Sequence, residues 1–300
     1  MLKPKRNFGS ICFNIINYTF FFLFTLICVF PFYYIFINTI SDNTLVSTGR
    51  ILFYPKGIHF GNYQRVLKIK NLPHAAYVSI MRTIIGTAAV VLAASFPGYA
   101  LSKKNFWKRT FWYRFVIAPM YFSAGVIPVY MTYKALGLIN NFLVYILPFM
   151  VSPFNLILCK TYIESIPASL EESAEIDGAG YLTRYFRIVF PLAKPIIATI
   201  AVFSAVSHWN AFMDTILYTS KTHLFTLQYI LYLYLNEVNA LAQIIKSDPS
   251  VMQNLEPSQM LTPTAVRFTI TMITVLPILF VYPFFQRYFL KGIMIGAIKG

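Results

Sequence analysis

The sequence predicts an all-α, polytopic membrane protein, and three observations carry that reading. Only 12% of the 300 residues are charged while 57% are hydrophobic, against roughly 25% charged in an average soluble domain. The charges are also clustered. They leave uncharged runs of 35, 20, 19, 25, 19 and 19 residues at 7–41, 83–102, 115–133, 135–159, 195–213 and 268–286, and a helix needs about 20 apolar residues to cross a hydrocarbon core of about 30 Å. Finally, these runs are continuously apolar, whereas barrel strands alternate polar and apolar over roughly ten residues. A cytosolic enzyme and a β-barrel are both excluded.

Six spans are therefore expected, at about 12–40, 76–102, 112–134, 139–162, 192–217 and 264–289, within one transmembrane domain covering 1–300. The first run has the basic start of a signal peptide, but its apolar stretch is too long and no A-x-A site follows, so it reads as a retained span. Span 2 contains Phe96-Pro97-Gly98, a kink. Span 3 holds Pro119, Gly125 and Pro128, and span 4 holds Pro148 and Pro153. Prolines at this density predict helices that bend where neighbours or water satisfy the freed carbonyls. The 15-residue uncharged run at 222–236 is too short to cross and reads as a surface or re-entrant helix. Cys12, Cys28 and Cys159 fall in or beside spans and read as small apolar filler.

Orientation follows from the basic residues. With the N-terminus inside, 15 of the 25 Lys and Arg fall on the cytoplasmic side, five of them crowded into 103–114 (Lys103, Lys104, Lys108, Arg109, Arg114). The remaining 10 spread along outer segments, mainly the loops 41–75 and 220–262. Positive charge near span ends favours the inside, so the expected topology is N-in, C-in. The net charge of +15 is then a topology signal with the lipid bilayer and its anionic headgroups as partner, and not a nucleic-acid surface. Arg82 and Arg267, at outer span ends, read as snorkelling.

Between spans 4 and 5 lies a hydrophilic cytoplasmic loop, 163–191, that holds five of the ten carboxylates between Glu164 and Asp177. It predicts a short helix with Ser165 or Ile166 as N-cap, Pro167 in the first position, carboxylates in the early turns and Gly178 just past the end. Leu170, Ala174 and Asp177 are expected on one face, and Glu171, Glu172 and Glu175 on another. Helices that lie on an anionic membrane are basic. An acidic one suits docking into a basic protein groove.

These residues resemble a known family. Glu172-Ser173-Ala174, then Gly178, then Ile188-Val189-Phe190-Pro191 follow the "EAA" loop of ABC importer permeases. The fuller string with Asp177-Gly178-Ala179, Pro191-Leu192 and Pro195 is similar to the carbohydrate-uptake branch, the MalG-like subunits. Further segments in the same order are Phe53-Tyr54-Pro55-Lys56-Gly57 with Asn62-Tyr63, Tyr99-Ala100-Leu101-Ser102, Gly125-Val126-Ile127-Pro128, Gly137-Leu138-Ile139-Asn140 and Trp209-Asn210-Ala211-Phe212. Ser173 and Phe190 are mild departures from the usual Ala and Leu. The resemblance implies a permease subunit in the cytoplasmic (inner) membrane of a bacterium, importing a sugar or oligosaccharide. Its implied partners are a second homologous permease, an ABC ATPase dimer and an extracytoplasmic solute-binding protein. The coupling residues it implies are Glu171, Glu172, Ala174, Glu175, Asp177, Gly178, Ile188 and Pro191. No G-x-x-x-x-G-K-[ST] phosphate loop occurs, so this chain is expected to be no enzyme and to hold no cofactor, ATP and Mg being bound by the partner ATPase.

Polar groups in span 5 are the candidate solute contacts. Trp209, Asn210 and Asp214 lie beside His208, with Asn210 and Asp214 at i, i+4 on one face. The other reading makes Trp209 an interfacial anchor and Asp214 a residue of the membrane edge. A permease for a non-sugar solute is the alternative function. A secondary transporter fits less well, since no paired halves or mid-span charges are seen. A membrane hydrolase would need a nucleophile–base pair that the sequence does not offer.

Overall fold

A computed structural model describes residues 8–69, 71–247 and 257–292. Lys3, Lys5, Arg6, Lys299 and the stretch 248–256 of the expected second outer loop lie outside the described residues. Every regular element among those described is helical. Two helices, α1 (Phe8–Thr39) and α4 (Leu72–Ser102), are each long and apolar enough to cross a membrane unaided. Two short helices, α2 (Asn43–Ser47) and α3 (Gly61–Leu67), lie between them.

The expected spans 3, 4 and 5 are not continuous helices. In place of 112–134 the chain forms α5 (Arg109–Ile117), a 3-10 turn at Ala118–Tyr121 and α6 (Val126–Ala135). Gly125, at φ 80°, opens α6 in a conformation only glycine adopts readily. In place of 139–162, 3-10 turns at Phe142–Tyr145 and Leu147–Phe149 precede α7 (Pro153–Glu164), and the pair is bent by 48°. Pro153 drives Ser152 to an extended conformation (φ −107°, ψ 112°), as a proline does to the residue before it.

Span 5 is the most altered. Helix α9 (Tyr181–Leu192), which includes one π-turn at Tyr185–Val189, bends by 77° into α10 (Lys194–Asn210). After a break at Ala211 and Phe212 the chain resumes as α11 (Met213–Tyr218). The 222–236 run falls largely in α12 (Leu227–Ser247), and the last helix, α13 (Pro257–Gly292), is longer than the 264–289 expected.

The chain forms two compact units. One takes the N-terminal part through Ile69 with Leu233–Val275, and the other takes the stretch up to Tyr232 with the residues from Leu276. In the first unit Ile37, Val46 and Ile51 pack with Leu45 and Phe268. Asp42 caps α2, accepting from the Thr44 and Leu45 amides at 2.9 and 3.2 Å, and those N–H groups hold its carboxyl below the usual carboxylate range. Buried Asn62 donates to the Thr39 carbonyl at 3.0 Å and to Asn43 Oδ1 at 2.9 Å, which explains the turn chemistry around it.

The second unit is built on α4. Its core joins Val90, Ala94 and Tyr99 of α4 to Cys159 and Ile163 of α7, Tyr185 and Val189 of α9, and Ile196 and Ile200 of α10. Cys159 is fully buried there, as apolar filler. The Tyr185 hydroxyl donates to Ser95 Oγ at 2.8 Å. Asn140, at φ 58°, accepts from the Ser220 amide at 2.6 Å and its hydroxyl at 3.1 Å, so this Gly137–Asn140 segment ties the turn after α6 to the end of α11.

Candidate functional site

The acidic loop folds as α8 (Ser169–Ile176). It starts later than expected. Ser165 instead closes α7, its amide and hydroxyl bonding the Tyr162 carbonyl at 3.0 and 2.6 Å. Pro167 therefore sits in the turn before the helix, and the Ala168 carbonyl takes the first helical amides, Glu171 and Glu172, both at 3.0 Å. No side chain caps this end; the early carboxylates of Glu171 and Glu172 offset its partial positive charge. The far end is as expected. Gly178 is left-handed at φ 80°, with Ala179 N bonded to Ala174 O at 2.8 Å and Gly178 N to Glu175 O at 3.0 Å, the paired bonds of a Schellman stop.

The faces of α8 differ from the expected division. Positions 171, 174, 175 and 178 form one stripe at helical spacing, and it lies against this chain's own basic side chains. Glu171 is buried, accepts from the Tyr99 hydroxyl at 3.0 Å and pairs with Lys103. Glu175 accepts from Arg184 Nη1 at 2.5 Å, and the Arg184 guanidinium lies 4.4 Å from the Tyr181 ring. The opposite stripe exposes Glu172 and Ser173 with Ile176, which is 87% exposed, while Leu170 and Asp177 are exposed beside it. A cleft of about 500 Å³ separates α8 from the 102–109 turn. In it Glu164 is shared by Arg109 at 2.5 Å and Lys160 at 2.8 Å. Of the five carboxylates between Glu164 and Asp177, three are thus neutralised within the chain; Glu172 and Asp177 have no ion-pair partner among the described residues. Ile188, half-buried, and Pro191, exposed near the 77° bend, lie on α9 and not on the acidic helix.

The second candidate site is a cavity of about 420 Å³ between α4, α7, α10 and α11. Arg82 does not snorkel. It lies ten residues into α4, about 15 Å along the axis at 1.5 Å per residue, and is 1% exposed. Its guanidinium pairs with Asp214 through both terminal nitrogens, donates to the Ala211 carbonyl at 3.1 Å and lies 4.5 Å from the Tyr145 ring. The break in span 5 causes this arrangement. It frees the Ala211 carbonyl and swings Asp214 inward, where an unpaired carboxylate would be costly. His208 is 5% exposed, presses against Gly86, and meets Phe149 edge to face at 6.4 Å. A Cβ at Gly86 would stand 2.5 Å from His208 Nε2, so only glycine admits the imidazole at that depth.

The break also undoes the expected Asn210–Asp214 face. Asn210 accepts instead from Gln228 at 3.2 Å, and Trp209 lines a separate apolar groove with Ile80, Ile84 and Pro277. Of the three candidate solute contacts only Asp214 borders the cavity. Arg82, Asn155, Ser204 and Ser207, which also border it, were missed as contacts because they are scattered over the sequence on three helices.

This arrangement is a helical, membrane-type subunit with an acidic helix mounted on its longest buried span. The chain belongs to the family described as binding-protein-dependent transport system inner membrane component, which it matches over residues 86–295. It is similar to Protein LplC of Bacillus subtilis, 35% identical over 91% of this chain and 90% of that one. The polygalacturonan/rhamnogalacturonan transport system permease protein YtcP of the same organism is 33% identical over 96% and 98% of the two chains. Among solved structures, a bacterial ABC transporter involved in the import of the acidic polysaccharide alginate matches 96% of this chain and 100% of that chain, at 30% identity and a TM-score of 0.81.

Proposed function

We propose that this chain is one of two homologous permease subunits of an ATP-driven importer for a sugar or oligosaccharide in a bacterial cytoplasmic membrane. It would have six membrane crossings, N-in and C-in, with the bent helices counted as single crossings. An extracytoplasmic binding protein delivers solute, and a cytoplasmic ATPase dimer binds ATP and Mg. The saccharide class is supported by the relatives, which include a polygalacturonan/rhamnogalacturonan transport system permease and a transporter involved in the import of the acidic polysaccharide alginate.

The observation that carries the coupling role is the division of labour on α8. Its inward carboxylates anchor it to the span ends, while Glu172 and Asp177 remain available with the exposed apolar Leu170 and Ile176. That outward face suits a groove with basic and apolar walls. Because Glu171 is tied to Tyr99 and Lys103 at the end of α4, a pull on α8 is carried to the same helix that holds Arg82, about 25 Å away. Ile188 and Pro191, at the bend between α9 and α10, sit where the second anchor, Glu175–Arg184, would pass motion to span 5.

Glu172→Lys and Gly178→Leu test this reading. Losing a charge-assisted contact at an interface costs about 2–5 kcal/mol when its partner stays buried, and about 1.4 kcal/mol is tenfold. The expected result is a complex present in the membrane that imports nothing, either without its ATPase or hydrolysing ATP without response to solute. A reverse-charge change in the ATPase groove should partly restore Glu172→Lys. Import at the wild-type rate by both variants would overturn the coupling role.

A further inference from the structure

The turn between α4 and α5 and the start of α5 gather more cations than the nearby carboxylates neutralise. Lys103 pairs with Glu171, and Arg109 shares Glu164 with Lys160. Lys104, Lys108 and Arg114 then have no carboxylate partner among the described residues. Aromatic rings interleave with these cations along the chain. Phe106, Trp107, Phe111, Trp112 and Phe115 are all exposed, Trp107 by 66%, and the Trp107 and Trp112 rings lie 6.4 Å apart. Rings left this open would make a costly patch in water, whereas Trp beside Lys and Arg is the composition of a membrane–water boundary.

A pocket of about 280 Å³ opens in this patch, walled by Phe96, Tyr99, Lys103, Phe106, Trp107 and Tyr181. Tyr99 is buried while the other four rings are exposed, so the pocket is a recess in the surface and not an inner void. The Lys103 ammonium lies 4.6 Å from the Tyr99 ring and the Lys108 ammonium 4.8 Å from the Trp107 ring. The pocket is smaller than the roughly 300–1,000 Å³ of small-molecule sites, which suits part of one acyl chain better than a whole soluble ligand.

We propose that this pocket binds an anionic phospholipid of the inner leaflet. An acyl chain lies among the rings, and the phosphate headgroup meets Lys104 and Lys108, cations that the protein leaves without a carboxylate. A soluble anion would satisfy the cations but leave the rings wet, and a zwitterionic lipid would cover the rings but leave the cations uncompensated. The leaflet rests on the N-in importer reading above.

The complete transporter is placed in phosphatidylcholine vesicles containing phosphatidylglycerol. A trace of either lipid with a photoactivatable acyl chain is added, and cross-linked peptides are mapped by mass. Phosphatidylglycerol is expected to label 96–107 and 181–182, and to be displaced by its unlabelled form but not by excess inorganic phosphate. Each cation near an anionic surface changes affinity about fivefold. The double change Lys104→Ala with Lys108→Ala should therefore lower this labelling about 25-fold and leave labelling by phosphatidylcholine as it was. Equal labelling of the wild type by the two lipids, or undiminished labelling of the double variant by phosphatidylglycerol, would overturn the site. Displacement by phosphate would overturn it in favour of a soluble anion. Labelling by neither lipid would overturn it in favour of a protein partner covering the rings. Topology is read separately: Thr110→Cys, in a chain with Cys12, Cys28 and Cys159 changed to Ala, should be protected from an impermeant thiol reagent in right-side-out vesicles. Its labelling there would overturn the N-in reading and the leaflet named here, whatever the lipids label.

Discussion

The Arg82–Asp214 pair and the pairs around α8 join the same kinds of group in different solvents. Arg82 and Asp214 are 1% and 5% exposed and hold a broken helix together. Lys103–Glu171 is half shielded, at 27% and 11%, while Glu175 is 61% exposed although its partner Arg184 is 6% exposed. The difference teaches that the inner pair is a structural commitment that cannot be half made, whereas the outer pairs are graded attachments whose strength follows exposure. A moving element such as α8 is better served by the second kind.

The largest expected effect comes from Asp214→Asn, which leaves the Arg82 charge buried without a counter-ion. Breaking a buried pair in this way costs about 3–5 kcal/mol, read as a lower unfolding temperature of the purified complex and reduced membrane content. The double variant Arg82→Met with Asp214→Leu should recover most of that stability, since replacing both partners by apolar groups is often neutral. Import by this double variant is the readout that separates a pair that only holds the broken helix from one that also serves the transport route. Full recovery of transport would make the pair purely structural.

A smaller effect is expected at the anchor of α8. Glu171→Ala removes a carboxylate that takes bonds from Tyr99 and Lys103, and hydrogen bonds to charged groups contribute about 1.5–3 kcal/mol. The fold should survive, while ATP hydrolysis becomes less responsive to loaded binding protein. Proteolysis near Pro167 should also speed up as α8 loosens. An unchanged solute response would mean that α8 transmits motion without this anchor.

The smallest effect is expected from Glu175→Ala. Its exposed carboxylate places the pair with Arg184 in the range of about 0.2–1 kcal/mol, and the loss should shrink further as salt screens the pair. Comparing Glu171→Ala and Glu175→Ala at low and high salt sharpens the contrast. A salt-insensitive loss at Glu175 would mean that this pair is desolvated in the assembled complex.

The all-helical class was legible because long uncharged runs are a property of the chain alone. Gly178 as a stop was legible too, since only glycine enters the left-handed region without strain. The start of α8 was misread by a few residues because Ser165 can cap an incoming helix or close an outgoing one, and the choice depends on where α7 ends. The faces of α8 were misassigned for a related reason. Carboxylates are expected to face water, and the cations that draw Glu171 and Glu175 inward, Lys103 and Arg184, lie 68 and 9 residues away.

By itself the sequence determined that this protein is helical and apolar enough for a membrane, where its densest positive charge lies, and that its acidic loop resembles a coupling segment. Those follow from composition and short-range spacing, which need no knowledge of what packs where. Only the tertiary structure decided that spans 3, 4 and 5 are interrupted, that Trp209 and Asn210 turn away from Asp214, and that Arg82 is buried and not snorkelling. Each depends on contacts between distant segments: Arg82 and Asp214 are 132 residues apart. A buried charge is tolerable only where its counter-ion arrives, and no local pattern announces that meeting.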